Sequence, residues 1–351
     1  MKRKIGILTF HDTTNFGSAL QSYALCKAIR DLGGDSEIID YQCSAIVERE
    51  NIKTAYKGVK GVIKYVLFGR KNQSKHVALI NLLKSESMIG AVEFTKDNIA
   101  DANQIYDVFV SGSDIIWGVD ITDGDFTYFL DFVSPDKKRF AFASSIGDRW
   151  SSEYDKEIGE LLRKYEKIFV REKNSVKIIE EVANKSSQLV CDPTMLVTPE
   201  YWENFAARKK IKEKYVLVYF GNEHLIQKAK VYARDNDCKV LVINYGIPKS
   251  GVKNVRPVSA EDFLGLIKNA EYIFTGSYHG MLFSLYFRKQ FAVYNRAHAS
   301  RMNSLLDEFG LNKCILSNAD SPICEINYDD VFPMLEKKRV ESLQCLNEIL
   351  R

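Results

Sequence analysis

Short apolar runs alternate with segments of helical periodicity along this chain, and this alternation restricts the fold more than any other feature of the sequence. Residues 5–10 form an apolar run with the length of a buried strand, and residues 20–32 carry apolar side chains at helical spacing. Gly33 and Gly34 end this helix, and residues 37–41 form the next strand. A strand, a helix and a strand of these lengths predict a parallel pair joined by a right-handed crossover.

The same alternation continues through the rest of the chain and divides it into two halves. In the first half, the pattern predicts a helix at 175–183 and strands at 105–111, 139–145, 167–171 and 188–191. The composition becomes polar and basic around 198–214, which indicates a domain boundary. The second half is predicted to contain strands at 215–220, 239–245, 272–275 and 291–294, and helices from 225 and at 259–270, 281–287, 301–310 and 329–350.

We therefore expect an α/β fold of two Rossmann-like domains that face a cleft, with the chemistry at the C-terminal ends of the strands. The predicted domains are 1–197 and 198–327, and the amphipathic helix 328–351 is expected to pack across them. The length agrees with this division, because 351 residues at ~150 per domain correspond to roughly two domains. The hydrophobic fraction of 46% and the charged fraction of 27% are typical of globular chains.

Other features exclude several classes of protein. No apolar window reaches the ~18 residues of a membrane span, and the apolar run near the N-terminus is too short for a secretory signal. The seven cysteines are scattered and never spaced C-x-x-C. This pattern predicts reduced thiols in a cytoplasmic protein, without a zinc site or a redox pair.

Residues 51–85 carry eight basic residues and no acid, whereas the rest of the chain has more acids than bases. Two interpretations stay open for this basic segment. Its interleaved apolar and aromatic side chains could form an amphipathic surface that contacts an anionic membrane at its inner face. Alternatively, it is a solvated helical excursion, as most runs of charge are. Binding to nucleic acid is not expected, because no binding motif accompanies the basic residues.

The loop after the first strand contains the first candidate site residues: Asp12, Asn15, Gly17, Ser18 and Gln21. A small-residue turn between a strand and a helix exposes backbone N–H groups and suits an anionic or hydroxyl-rich ligand. The glycine spacing matches neither G-x-G-x-x-G nor a P-loop, which removes the main support for a dinucleotide or NTP site. In the alternative interpretation, Asn15 and Ser18 only cap the helix.

Two charged residues stand at the ends of other predicted strands. Asp114 lies just past one strand, either as a site residue or as a helix cap above Trp117. Arg171 ends another, where it could grip a carboxylate or phosphate, or could pair with Glu172 at the surface.

The strongest local signal is the turn 275–280, which follows an apolar strand and opens the helix predicted at 281–287. His279 lies on this turn between glycines, at a positive helix end, where an imidazole can donate a hydrogen bond to an oxyanion. Ser277 and Gly280 belong to the same turn. Further along, Arg301 is either a solvated charge or a second cation for the same site.

Taken in order, these pieces resemble the polysaccharide pyruvyl transferase family. The matching segments are 10–24, 112–114, 143–147, 170–172, 191–193, 277–280 and 300–306. The resemblance implies a GT-B-like fold and the transfer of pyruvate from phosphoenolpyruvate to two hydroxyls of one sugar, giving a ketal and phosphate. It implies a role in capsule or exopolysaccharide biosynthesis, a sugar or lipid-linked oligosaccharide as acceptor, and no metal or organic cofactor.

The resemblance also implies roles for the candidate residues. His279 would be the general acid or phosphate donor, with the helix start at Gly280 supporting the phosphate. Arg171, and secondarily Arg301, would bind the donor's anionic groups, and Ser277 would contact the donor from the same turn as His279. Asp114 or Asp12 would take a hydroxyl proton from the acceptor sugar. That sugar would lie against the first loop, at Asn15, Gly17, Ser18 and Gln21.

One position departs from the family pattern: Ser277 stands where members commonly carry arginine. Two alternatives therefore stay open beside the pyruvyl transferase. The first is a glycosyltransferase of the same fold that uses a nucleotide sugar, with Glu261 or Asp262 holding the ribose. The second is a non-catalytic relative that binds glycan. Fold alone does not decide between such chemistries.

Overall fold

The computed structural model describes residues 3–51, 69–208, 211–294, 300–318 and 321–351. The chain divides into two compact units. The first unit comprises Met1–Asn51, Ile80–Val197 and Leu335–Arg351, and the second comprises Ile52–Leu79 and Thr198–Met334. The division after Val197 coincides with the change in composition in the sequence. The last helix, predicted as a segment that packs across the two domains, contributes residues to both units.

The first unit is built on a seven-stranded sheet in the order β3-β2-β1-β4-β5-β6-β7. All of its strand pairs are parallel, as the strand–helix–strand pattern predicts. Its strands are β1 (Lys4–Leu8), β2 (Asp35–Tyr41), β3 (Ile89–Phe94), β4 (Val108–Ser111), β5 (Lys138–Ser144), β6 (Lys167–Val170) and β7 (Gln188–Leu189).

The second unit is built on a five-stranded sheet, also fully parallel, in the order β10-β9-β8-β11-β12. Its strands are β8 (Tyr215–Tyr219), β9 (Lys239–Ile243), β10 (Lys253–Val255), β11 (Tyr272–Thr275) and β12 (Gln290–Val293). In both sheets the unit's first strand lies in the interior and the order reverses beside it. Polar groups at the C-terminal edge next to such a reversal are well placed to bind a ligand.

Helices cover both sheets. Within the described residues they are α1 (Phe16–Asp31), α2 (Ser44–Glu50), α3 (Arg70–Ser85), α4 (Asp155–Arg163), α5 (Lys173–Ala183), α6 (Pro193–Leu196), α7 (Pro199–Phe205), α8 (Glu223–Asp235), α9 (Ala260–Lys268), α10 (Tyr278–Tyr286), α11 (Ser300–Glu308) and α12 (Tyr328–Leu350). Short 3₁₀ helices lie at Ile99–Gln104, Phe126–Phe129, Ser152–Tyr154 and Asn312–Cys314. None of the helices in these described stretches is both long and apolar enough to cross a bilayer.

The last helix, α12, closes the first unit with its C-terminal half. Leu346 and Ile349 are fully buried, and the hydroxyl of Ser342 accepts a hydrogen bond of 2.9 Å from the backbone N–H of Cys191. The final residues of the chain therefore belong to the core of the unit that contains the first strand.

One prediction about the cysteines is wrong. Cys314 and Cys324 form a disulfide, whereas all seven cysteines were expected to be reduced. The fold brings their Cα atoms to 5.5 Å across a loop with a sequence separation of 10, a proximity that no spacing rule signals. The other five cysteines are free thiols.

Of the basic segment 51–85, residues 52–68 lie outside the described part of the chain. The remainder is mainly the helix α3, which contains Arg70, Lys71, Lys75 and Lys84 and no acid. The membrane contact suggested for this segment stays a prediction.

Candidate functional site

The loop between β1 and α1 is fixed by its own polar side chains. Asn15 is the N-cap of α1, and its side chain accepts a 2.8 Å hydrogen bond from the backbone N–H of Gly17. Thr14 anchors the loop further, because its N–H and its hydroxyl both donate to Glu50 at 2.8 Å. The interpretation as a helix cap is therefore correct for Asn15. Ser18 is not the N-cap, and its hydroxyl bonds to a side chain outside the helix.

The hydroxyl of Ser18 donates a 2.5 Å hydrogen bond to the carboxylate of Asp114. Asp114 follows β4 and has a φ of +80°, an unfavourable backbone region for a residue with a side chain. Gly112 precedes it so close to the carbonyl of Phe142 that no Cβ would fit. Strained backbone at the C-terminal edge of a parallel sheet is a frequent sign of a functional position.

Arg171 joins this carboxylate to a second one. Its guanidinium donates a 2.6 Å hydrogen bond to Asp192 and lies 3.6 Å from Asp114, and its side chain is only 1% exposed. Asp192 in turn is the N-cap of α6 and accepts from Thr194. The alternative of a surface pair with Glu172 is wrong, because both residues are buried and Glu172 instead accepts from Ser175 and from the N–H of Ile146.

Gln21 and Asp12 occupy different environments in the first loop. Gln21 is fully buried, and its amide donates 2.9 Å hydrogen bonds to the hydroxyl of Thr9 and the carbonyl of Ser18. This side chain therefore braces the loop from inside. Asp12 is half-buried and lies near Asp40, and its negative charge opposes the lowering of the pKa of Asp40 described below.

Asp40 and His11 form a pair that was not predicted from the sequence. The ring of His11 is buried, with Nε2 3.0 Å from a carboxylate oxygen of Asp40 and Nδ1 3.3 Å from the carbonyl of Thr9. Burial alone would raise the pKa of Asp40, but the hydrogen bonds from His11 and Gln42 and the nearby imidazole outweigh it and lower the pKa. The available signal was their position in the predicted strand–helix–strand unit, since β1 and β2 are parallel neighbours, His11 follows β1 by three residues and Asp40 lies near the end of β2.

In the second unit, the last three residues of the predicted turn 275–280 form the first turn of a helix. The helix α10 begins at Tyr278, three residues earlier than predicted, because Ser277 is its N-cap and accepts a 3.2 Å hydrogen bond from the N–H of Gly280. That N–H is consequently occupied by the cap. His279 lies within this first turn and is 7% exposed.

Gly280 permits the tight packing of this turn. A Cβ at this position would lie 2.7 Å from the Thr275 hydroxyl and 3.1 Å from a ring carbon of Tyr219. The N–H of Gly276 also donates to the carbonyl of Tyr219 at 3.1 Å. The ends of β8 and β11 are thus held together around His279.

Two cations of the second unit lie on tyrosine rings. The guanidinium of Arg301 lies 5.4 Å from the ring centroid of Tyr278, which makes an edge-on contact with His279 at 5.3 Å between ring centroids. The ammonium of Lys75, from α3, lies 3.8 Å from the ring centroid of Tyr245. No sequence signal identified Lys75.

The structure therefore brings Ser18, Asp114 and Arg171 together in the first unit, and Ser277, His279, Gly280 and Arg301 together in the second. No cluster of three or more histidine, cysteine or acidic side chains suited to a metal ion occurs within the described ranges.

Two parallel α/β sheets, each with polar residues at the C-terminal ends of its strands, define a GT-B-like protein. Solved structures agree. UDP-N-acetylglucosamine 2-epimerase from Rickettsia bellii aligns over 99% of this chain and 95% of its own, with a TM-score of 0.52 and 9% identity. An alpha-glucosyltransferase in complex with UDP and DNA aligns over 100% and 95%, with a TM-score of 0.50 and 8% identity. These likenesses show the fold alone.

The chain belongs to the polysaccharide pyruvyl transferase family, whose sequence model matches residues 15–298. This match includes the loop of Ser18 as well as Asp114, Arg171 and His279, and ends shortly before Arg301. A comparison with curated protein sequences finds no match.

Proposed function

We propose that this protein transfers pyruvate from phosphoenolpyruvate to two hydroxyls of one sugar during synthesis of a cell-surface polysaccharide. The product is a ketal, and phosphate is released. Membership of the family supports pyruvyl transfer as the general chemistry. The observation that carries the specific proposal is Asp114, a buried carboxylate at a sheet edge held in place by a hydroxyl and an arginine.

Asp114 is the base for the acceptor in this proposal. A sugar hydroxyl must lose its proton as its oxygen attacks carbon, and a positioned carboxylate speeds such a step by 10²–10⁴-fold. Ser18 and Arg171 orient the carboxylate. Since the guanidinium of Arg171 is enclosed by two carboxylates, we assign it a positioning role and no direct contact with the donor.

His279 is the acid for the donor. It gives a proton to C3 of phosphoenolpyruvate, so that the C2=C3 double bond becomes a methyl group attached to an electrophilic C2. One acceptor oxygen bonds to C2, and the second then bonds to C2 as the C2–O bond to phosphate breaks. Of the two hydroxyl protons, one replaces the proton that His279 supplied and the other leaves with phosphate. Arg301 supplies positive charge near this histidine.

Thermal unfolding with ligands tests this assignment, because a ligand that binds only the folded state raises the unfolding midpoint. Phosphoenolpyruvate is expected to raise the midpoint of the wild type and of Asp114→Asn, but not that of His279→Ala. His224→Ala is the matched control, because it replaces an exposed histidine in the first turn of α8. UDP-glucose is expected to have no effect.

Activity is then measured as phosphate release from phosphoenolpyruvate with a panel of hexose glycosides. Asp114→Asn should lose at least 10²-fold in kcat, while Asp120→Asn, an exposed aspartate of the same loop, should retain it. A midpoint that responds to UDP-glucose and ignores phosphoenolpyruvate would replace this function with glycosyl transfer. If neither phosphoenolpyruvate nor UDP-glucose changes the unfolding midpoint, a non-catalytic protein would be favoured.

A further inference from the structure

The helix α3 buries one of its basic residues and exposes the others. Arg70, Lys71 and Lys84 are exposed, whereas Lys75 is 7% exposed. Its ammonium is 3.8 Å from the centroid of the Tyr245 ring, a distance at which the ring face attracts a cation. Burying an ammonium is costly, and the ring face of Tyr245 offsets part of this cost.

Tyr245 holds this cation at the edge of the second sheet. It follows the end of β9, and its hydroxyl donates a hydrogen bond to the carbonyl of Pro257. Burial, followed by the influence of Tyr219, raises the pKa of Tyr245, so the ring stays an uncharged phenol. A ring fixed in this way presents a stationary face to Lys75.

The same edge carries His279. The strand order is β9-β8-β11, all parallel, so the residues that follow these three strands lie on one edge. Neighbouring strands are ~4.8 Å apart, which places the ends of β9 and β11 about 10 Å apart. Tyr219, at the end of β8, lies between them and touches the turn at Gly280.

The position two residues before His279, at the start of α10, is the neutral Ser277. Lys75 and Arg301 place positive charge on the tyrosines along this edge. Phosphoenolpyruvate carries both a phosphate and a carboxylate, and such groups bind where lysine or arginine forms charge-assisted hydrogen bonds.

We propose that Lys75 is a donor-binding residue, whose ammonium takes an anionic group of phosphoenolpyruvate beside His279. The inference rests on the proposed function and adds to it a residue from the basic segment. It gives α3 a role in substrate binding, independent of any membrane.

Calorimetric titration with phosphoenolpyruvate tests the proposal. Lys75→Met keeps most of the side-chain volume and removes the charge, so its Kd should rise at least 10-fold. Lys75→Arg should restore the Kd to within about 3-fold of the wild type. Lys71→Met is the matched control, because Lys71 is exposed and lies one turn before Lys75 on α3, and it should leave the Kd unchanged. The dependence of log Kd on log salt should also become shallower in Lys75→Met only.

A purely structural lysine would give a different pattern. Lys75→Met would then lower the urea midpoint and leave the Kd of the folded protein unchanged, which overturns the proposal. If Lys75→Met does not fold, NMR spectra of the wild type with [13C]methylated lysines test whether Lys75 contacts phosphoenolpyruvate. The signal of Lys75 should shift on addition of phosphoenolpyruvate, and an unmoved signal contradicts direct binding.

Binding of phosphoenolpyruvate to the wild type and to His279→Ala distinguishes a failure of this proposal from a failure of the proposed function. If it does not bind phosphoenolpyruvate, both fall together. If it binds phosphoenolpyruvate and His279→Ala does not, while Lys75→Met binds as the wild type does, only the role of Lys75 is refuted.

Discussion

The side chain of Arg171 is buried and contacts two carboxylates, which come from separate loops. Asp192 caps α6, and Asp114 follows β4. Removing one member of a buried ionic group leaves the others with uncompensated charge, which costs far more than breaking a pair in water. The arginine therefore serves the stability of the first unit as well as the orientation of Asp114.

We expect Arg171→Met to lower the free energy of unfolding by about 3–5 kcal/mol, because Asp192 would stay buried without its cation. Arg149→Met is the matched control. Arg149 also contacts two carboxylates at 2.9 Å, those of Asp155 and Glu181, but it is exposed, so its loss should cost less than about 1 kcal/mol. Urea unfolding measures both, and equal losses would contradict the argument.

At the scale of the residue, the sequence predicts which polar residues lie near a sheet edge better than it predicts which residues they contact. Strand ends in the sequence identified Asp114 and Arg171 as polar residues near a sheet edge. Their partners were not predictable, because Asp192 is 21 residues from Arg171 and Ser18 is 96 residues from Asp114. Such contacts depend on which strands become neighbours.

At the scale of the element, α10 shows how a cap and a glycine set the position of a site residue. Ser277 begins the helix, and Gly280 lets its first turn pack against Tyr219 and Thr275. The apolar strand 272–275 was predicted correctly. The helix start was predicted three residues late, because the turn residues were assigned to a loop and the capping hydroxyl of Ser277 was not recognised.

Gly280→Ala is expected to destabilise the protein by about 1–3 kcal/mol, because the new methyl group overlaps the Thr275 hydroxyl. In an unobstructed helix the same change would stabilise by roughly 0.5–1 kcal/mol, so the sign is diagnostic. Gly246→Ala is the control, since its Cβ would meet nothing closer than 3.5 Å. Thermal unfolding of the two variants decides, and a stabilised Gly280→Ala would refute the packing argument.

Two strands were missed for a common reason. Both β3 (Ile89–Phe94) and β10 (Lys253–Val255) lie at sheet edges and lack a fully buried apolar run. Hydrophobic periodicity detects strands that are buried on both faces, such as β4 and β8, and misses those that pair mainly through their backbones.

At the scale of the whole molecule, acids with lowered pKa belong to the first unit within the described residues. They are Asp40, Asp125 and Glu336. Burial alone would raise the pKa of Asp125, yet the hydrogen bonds from Lys96, Tyr41 and Thr127 outweigh it and lower the pKa below its ordinary value. An acid of this kind stabilises the fold above its unfolded pKa, and the stabilisation disappears as the pH falls through its folded pKa.

We therefore expect the urea midpoint of the wild type to be steady above about pH 5 and to fall below about pH 4. Asp125→Asn should begin with a lower midpoint at pH 7 and lose less of it on acidification. Asp136→Asn, an exposed aspartate of the same unit, should follow the wild type. Urea titrations between pH 7 and pH 3 measure this, and identical slopes for wild type and Asp125→Asn would contradict it.

The two sheets were predictable because the alternation of strands and helices is local. The composition of the units was only partly predictable. Nothing in the sequence of α12 shows that Leu346 and Ile349 complete the core of the first unit, since that depends on a distant surface already built by other elements.

Because the first unit combines residues from both ends of the described chain, its assembly depends on the order of synthesis. The first unit contains β1 and also residues Leu335–Arg351, which are translated long after β1. Most of the second unit, Thr198–Met334, is continuous in the chain and is fully translated before them. The part of the first unit that precedes Thr198 therefore stays incompletely covered until α12 has been translated, and its exposed apolar surface can bind a chaperone during that interval.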